Sequence, residues 1–341
     1  MNNPGLRQQR GIALITVLLV MVIAIVVATH AITRNRIAVS RTGALLANTQ
    51  LAEFVGAAEA WARVALEKDY ENDREQKPAA DSAAEAWAVP ALSFNPDNGK
   101  IRINIKDLNS CFNVNNLVED SSEERQVFER LVRDVTGRAE LAKAMLDWLD
   151  RGDTPLAPGT EDDGYLGLEI AHRTPDTLIT DVSELSAVQG MKTEDWQALQ
   201  PFLCALPETG TSINVNFAPP ELLRAYAPEG NAAELLRFRE ADGVLSEQAQ
   251  LAAYGFENSA GLSFNSDYFL ARIAVQLGEG AEYRQYWESE IQLNETTGEA
   301  RVIQRQRRPF SSAIMRDLLS GKAGSDTGKV GEDKQNTNKS R

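Results

Sequence analysis

The residues best suited to chemistry lie between Asp147 and Asp163, where DWLDRGDTPLAPGTEDD carries six carboxylates, Asp147, Asp150, Asp153, Glu161, Asp162 and Asp163, against one base, Arg151. Carboxylates gathered on a loop without thiols or imidazoles suit a hard cation, above all Ca2+, which takes oxygen ligands at about 2.3 to 2.6 Å. Asp147 and Asp150 share one face at the C-terminal end of a predicted helix, where the helix dipole disfavours anions and a cation would relieve the repulsion. The spacing is not that of an EF-hand, because the loop glycine and the closing bidentate glutamate are missing. On spacing alone a solvated acidic loop is an equal alternative.

Sulfur chemistry is limited to Cys111 and Cys204. An even pair in a translocated chain favours a disulfide, with two buried free thiols as the alternative. Bonded, the pair would stabilise the fold by roughly 4 to 5 kcal/mol in the chain-entropy picture and place the body in an oxidising compartment. Enzymatic readings find little support. Two histidines, His30 and His172, exclude a His-rich zinc site, and Gly278-Glu279-Gly280 stops short of a nucleotide-binding glycine motif. No nucleophile elbow or Walker A sequence occurs, so the chain reads as a non-enzyme. A net charge of −14 without a Lys/Arg patch in the body excludes nucleic acid. That holds even for residues 182–206, VSELSAVQGMKTEDWQALQPFLCAL, which are similar to helix-hairpin-helix modules. Their flanks are Asp181, Glu184, Glu194 and Asp195, with Lys192 alone.

The elements that position these residues begin at an apolar run. From Ile12 to Ile32 there are 21 residues, and a helix of that length spans roughly 30 Å, the thickness of a bilayer core. It is longer than a signal-peptide core and lacks a small-residue cleavage site after it. Arg7 and Arg10 at one end nearly balance Arg34, Arg36 and Arg41 at the other, so flanking charge leaves the orientation open. Apolar positions at helical spacing continue to about Lys68, predicting one helix of roughly 80 Å. Residues 69–98 read as a loop with a short helix around Ala80 to Trp87. Residues 100–106, KIRINIK, alternate as a half-buried strand.

From Leu108 to about Ser263 the pattern is helical, with cap spacing at Ser121/Glu124, Asp181/Glu184 and Asn231/Glu234. Asn-Val-Asn occurs at 113–115 and 214–216, each an expected Asx turn before a helix. Strands return at Tyr268 to Leu277, Tyr283 to Leu293 and Ala300 to Gln304, and the polar tail from Gly321 to Arg341 reads as disordered. One strand before the helical module and three after it make the module an insertion into an antiparallel sheet.

Three stretches carry a resemblance: RQQRG before IALITVLLV, MLDWLDRGD at 145–153, and INVNFAPPELLRAY at 213–226. With this element order they resemble the type IV pilins and type II secretion pseudopilins, and within them the large K-type minor pseudopilins. The resemblance implies an α+β fold: a pilin-like long N-terminal helix packed on an antiparallel sheet, interrupted by a large all-α, SAM-like or helix-hairpin-helix-like insertion. The implied organisation is a prepilin leader (1–11), a transmembrane half-helix (12–32), a pilin-like domain in two parts (33–107 and 264–310), the inserted helical domain (108–263) and a flexible tail (311–341). Prepilin peptidase would cut after Gly11, leaving Ile12 as an N-methylated terminus.

The resemblance also favours calcium at the acidic loop. It implies a single-pass inner-membrane protein of a Gram-negative bacterium, with its body in the periplasm. It further implies other minor pseudopilins and the major pseudopilin as partners, and a place at the pseudopilus tip. Most pilins have glutamate as the fifth mature residue, whereas this chain has Thr16, a departure the K-type relatives share. A rival reading is an uncut, single-pass periplasmic binding or sensor protein. A calcium-dependent hydrolase acting through the acidic cluster is a second.

Overall fold

A computed structural model describes residues 10–318, apart from 76–78, 89–90, 120, 151, 153–154, 157–158, 161, 242, 258–259, 279, 313 and 316–317. Most of the leader and the tail expected to be disordered therefore lie outside the described residues. Helix α1 (Arg10–Glu75) is 66 residues long, about 100 Å at ~1.5 Å per residue. Its apolar first half has no protein cover. Side chains from Leu14 to Ile32 stand exposed, and the helix is long and apolar enough to cross a membrane. From Ala47 one stripe turns inward: Ala47, Leu51, Val55, Ala58, Ala62 and Leu66 recur every three or four residues and are buried.

Two strands follow, β1 (Leu92–Phe94) and β2 (Gly99–Asp107). The chain then leaves the sheet for a helical insertion. Its elements are β3 (Phe112–Asn113), α2 (Ser122–Thr136), α3 (Ala139–Leu149), α4 (Asp162–Leu166), α5 (Thr193–Leu199), β4 (Leu203–Cys204), β5 (Ile213–Asn214), α6 (Pro220–Tyr226), α7 (Ala232–Glu240), α8 (Gln248–Ala252) and β6 (Leu262–Ser263). The sheet resumes with β7 (Tyr268–Leu277), β8 (Tyr283–Leu293) and β9 (Ala300–Arg307), in the antiparallel order β1-β2-β7-β8-β9. β7 lies at its centre, with Ile273 opposite both Ile103 and Trp287.

One face of β7, carrying Phe269, Ala271, Ile273, Val275 and Leu277, packs with the α1 stripe. On the other face Tyr268 and Leu270 meet Leu108, Leu206 and the cysteines. Burial on both sides explains why YFLARIAVQL reads as almost continuously apolar. The insertion has a separate core around Phe112, Phe128, Leu131, Met145, Leu149 and Tyr165.

Several local expectations meet tertiary corrections. α1 continues to Glu75, beyond Lys68. Tyr70 packs over Gly298, where any Cβ would collide with its ring, and donates to the Glu295 carbonyl at 2.6 Å. Residues 81–88 form turns rather than a helix. There Trp87 is buried against Phe217 and Phe269 and donates to Asp69 at 2.7 Å, and this anchoring overrides local helix preference. Asp181 caps a 3-10 turn (Val182–Ala187) through the Ser183 N–H, not an α-helix. Ser121 and Asn231 do cap α2 and α7, each accepting from the N–H three residues on.

A bulge at the β8–β9 pairing exchanges the faces of β9. Ile291 pairs with Val302 but Glu290 with Gln304, leaving Ile303 as the extra residue. Val302 therefore packs toward α1, and so does Arg305, three positions on. Glu59 on α1 is 4% exposed; it accepts from Ser289 Oγ and Arg305 Nε, both at 2.6 Å, and Arg305 Nη2 donates to its second oxygen. Glu59→Ala leaves the fully buried Ser289 hydroxyl without this acceptor. A loss of about 1–3 kcal/mol is expected in chemical denaturation, and less for Glu59→Gln, which still accepts. Equal losses would show that the acceptor is not what matters.

Candidate functional site

Two places bear on the residues singled out in the sequence: the acidic loop after α3 and the junction where the insertion joins the sheet. In the first, α3 ends at Asp150, whose N–H donates to the Leu146 carbonyl. Asp147 is fully buried, and both its oxygens accept from the Leu156 N–H, at 2.9 and 3.1 Å. Gly159 lies so close that a Cβ there would fall 1.8 Å from Asp147 Oδ2, so the loop folds directly over this carboxylate. Burial raises the Asp147 carboxyl above its usual range; the Asp150 charge adds to this, and the Leu156 N–H and Arg125 oppose it.

Asp150 accepts from the Gly152 N–H at 2.9 Å and lies 3.6 Å from Arg125 Nη2. Asp162 is engaged elsewhere. It accepts from Arg173 at 2.7 Å and from the Thr174 N–H and hydroxyl, both at 3.1 Å. Asp163 is exposed in the first turn of α4, and Asp153 and Glu161 lie outside the described residues. Among the described residues no group of three or more acidic, histidine or cysteine side chains sits together as a ligand set. Spacing could not reveal Arg125, Leu156 or Thr174 as partners, nor the aromatic trio of Trp148, Tyr165 and His172 packed beside the loop.

At the second place the two cysteines meet. Cys111 and Cys204 are disulfide-bonded with Cα atoms 5.8 Å apart, beside the parallel β3–β4 contact. Each Asn-Val-Asn makes the same device. Asn113 Oδ1 accepts from the Asn115 N–H, and Asn115 then holds both N–H and carbonyl of Ile179. Asn214 Oδ1 accepts from the Asn216 N–H, and Asn216 holds both N–H and carbonyl of Leu245. The expected Asx turns are thus also long-range clamps.

Asn214 reaches further, donating to Ser266 Oγ at 2.7 Å and to Asp107 Oδ2 and the Asp81 carbonyl at 3.3 Å. Ser266 donates its hydroxyl to Asp107 at 2.5 Å and its N–H to Asp81 Oδ2 at 2.6 Å. Asn109 Oδ1 accepts from the N–H groups of Asp267 and Tyr268. Burial pushes Asp107 up to about 7 and Asp81 to about 8, the latter helped by the charges of Asp69, Asp107 and Asp73.

Comparison with known proteins covers about four fifths of the chain. The family model for type II secretion system protein K matches residues 110–208. The protein K of Pectobacterium carotovorum subsp. carotovorum is 31% identical over 298 residues, covering 80% of this chain and 90% of the relative. That of Klebsiella pneumoniae is 30% identical over 302 residues, covering 82% and 91%. In fold, the chain is similar to one in the crystal structure of the GspK-GspI-GspJ complex from the enterotoxigenic Escherichia coli type 2 secretion system. The TM-score is 0.66 at 22% identity, covering 79% of this chain and all of that one.

The buried carboxyls give a pH prediction. Asp81 and Asp107 hold their protons to higher pH in the folded chain than near the ordinary 3.8 of the unfolded one. Their contribution is therefore full below about pH 4 and lost as pH rises through 7 to 8. The melting temperature should fall between pH 5.5 and 8.5. In Asp81→Asn/Asp107→Asn, whose side-chain oxygens still accept from Ser266, the slope should flatten; an unchanged slope would remove these two carboxyls as its source.

Proposed function

The chain belongs to the type II secretion system protein K family, and from that membership we propose a minor pseudopilin that sits at the tip of the periplasmic pseudopilus and starts or caps it. Its role is assembly in a protein-export machine, and it is not an enzyme. The observation that carries the tip position is where the insertion leaves the sheet. Gly99, at the start of β2, packs on Phe54 of α1. The end of the same strand, Asp107, pairs with Phe269, which lies beside Leu66 and Tyr70. The insertion thus departs from the end of α1 remote from the apolar run. A module of about 150 residues has a radius of gyration near ~15 Å, whereas packed helices sit about 8–10 Å apart, so it obstructs a subunit stacked above.

Thr16 supports the same reading, because it cannot offer a carboxylate to the terminal amine of a neighbouring pilin inside a membrane. Leu45, Leu46 and Val64 are exposed on α1, and this outer half of the helix, from about residue 41 to 67, is the proposed contact with other minor pseudopilins and the major one. We assign the single apolar span to the inner membrane of a Gram-negative bacterium and the body to the periplasm. Prepilin peptidase is the proposed partner at Gly11 and Ile12. Cysteines placed at Leu46 and Val64 should crosslink to other pseudopilins, and a label on the insertion should mark one end of assembled fibres. The mature chain should begin at Ile12. Label spread along the shaft would defeat the tip assignment, and an intact Met1 the processing.

Calcium at the acidic loop belongs to the same proposal. Asp147 offers a buried carboxylate met, among the described residues, by one backbone N–H, and Asp150 lies one turn away. This is an oxygen-only set of the kind a hard cation takes. Asp147 and Asp150 would hold the ion, with Asp153, Glu161 and Asp163 as further donors and Asp162 joining only on release from Arg173 and Thr174. A ligand bound only by the folded chain stabilises by about 2.7 kcal/mol at a hundredfold excess over Kd. Melts with calcium and with chelator should therefore differ by several degrees. Identical melts and no metal by elemental analysis would refute the ion.

A further inference from the structure

The charges of the chain are segregated along α1. No acidic residue precedes Glu53, so the first 52 residues carry five arginines, three of them beyond the apolar run at Arg34, Arg36 and Arg41. All three are exposed, and among the described residues none takes part in an ion pair. The helix from Thr33 to Leu46 is almost wholly uncovered by the sheet.

We propose that Arg34, Arg36 and Arg41 form a collar that binds the phosphate groups of anionic phospholipids where α1 emerges from the bilayer. The inference rests on the membrane-anchored reading above. Position is the first argument. Arg34 follows Ile32 by two residues, ~3 Å along the axis, and Arg41 by nine, ~14 Å. The headgroup layer is about 5–8 Å deep on each side, and arginine stems can bend along the helix to reach it.

Angle is the second argument. Arg34 and Arg41, seven residues apart, share nearly one face, whereas Arg36 lies on the opposite side at 100° per residue. A partner helix would need a charge stripe on one face, but a surrounding lipid surface is met from all sides. Guanidinium groups also suit phosphate, which they can grip through two parallel hydrogen bonds.

Isolation is the third argument. Glu53 is twelve residues beyond Arg41, ~18 Å along the helix, more than the ~8 Å screening length at physiological salt. No carboxylate on α1 competes with the lipid. All 49 acidic residues follow the collar, from Glu53 onward, and their charge is repelled by the same surface that attracts the collar, which keeps the body clear of the headgroups.

The test uses the full chain, reconstituted in vesicles of equimolar phosphatidylcholine and phosphatidylglycerol and extracted with its bound lipid for native mass spectrometry. Phosphatidylglycerol should be retained several-fold above its share of the bilayer, and added salt should reduce that excess. The Arg34→Gln/Arg36→Gln/Arg41→Gln variant, exposed at every position and in a residue that favours helix, should retain the two lipids in the bulk ratio. The corresponding triple Lys variant should keep most of the preference. A wild-type ratio equal to the bulk, or the same excess in the Gln variant, overturns the collar while leaving the anchor standing. Failure to enter vesicles of any composition overturns both.

Discussion

The structure depends on the polar junction at which a long insertion is held against the sheet it interrupts. β2 ends at Asp107 and its neighbour β7 begins at Tyr268. Adjacent strands are thus joined through a loop of about 160 residues, whose closure opposes folding entropically. A one-residue slip between them would turn every core side chain of one strand to the wrong face. Asp81, Asp107, Asn109, Asn214 and Ser266 tie the departing and returning chain, a loop after α1 and the interior of the insertion into one hydrogen-bonded knot. Such a network specifies a unique arrangement because its members are costly to leave unpaired in a low-dielectric interior.

The knot also links two cores. The core between α1 and the sheet and the core of the insertion are separate. Between them lies a small cluster of Leu108, Leu206, Tyr268, Leu270 and the Cys111–Cys204 bond. The two Asn-Val-Asn clamps extend the same logic into the insertion, each fixing a backbone segment that has no regular strand partner. Hydrogen bonds and the disulfide therefore connect the sheet to the helical module.

α1 works as a spine with successive surroundings. Its apolar beginning has no protein cover, its arginine-bearing middle is exposed, and its stripe from Ala47 to Leu66 packs on the sheet. Glu59 makes the last contact directional, since a buried carboxylate paired across the interface admits only one sliding position of helix against strands. At the far end Tyr70 and Asp69 take hold of the β8–β9 turn and of Trp87. The helix thus ends where the insertion begins.

Local periodicity made much of this visible in the residues themselves. The membrane-length run from Ile12, the alternation at 100–106, the later strands, the caps at Ser121 and Asn231 and the helical character of the insertion each depend on neighbours within a few positions. The acidic cluster was equally plain as composition. What the residues could not disclose is which side chains meet. Asn214 and Asp81 are 133 residues apart and Ser266 and Asp81 185 apart, and nothing local marks either pair. The bulge at Ile303 and the turns that seat Trp87 likewise answer to distant partners. So does the division of the acidic loop, with Asp147 under Leu156 and Asp162 beside Arg173. Short-range pattern reports what a segment prefers, whereas burial and long-range hydrogen bonds decide what it becomes, and those exist only once the chain has folded.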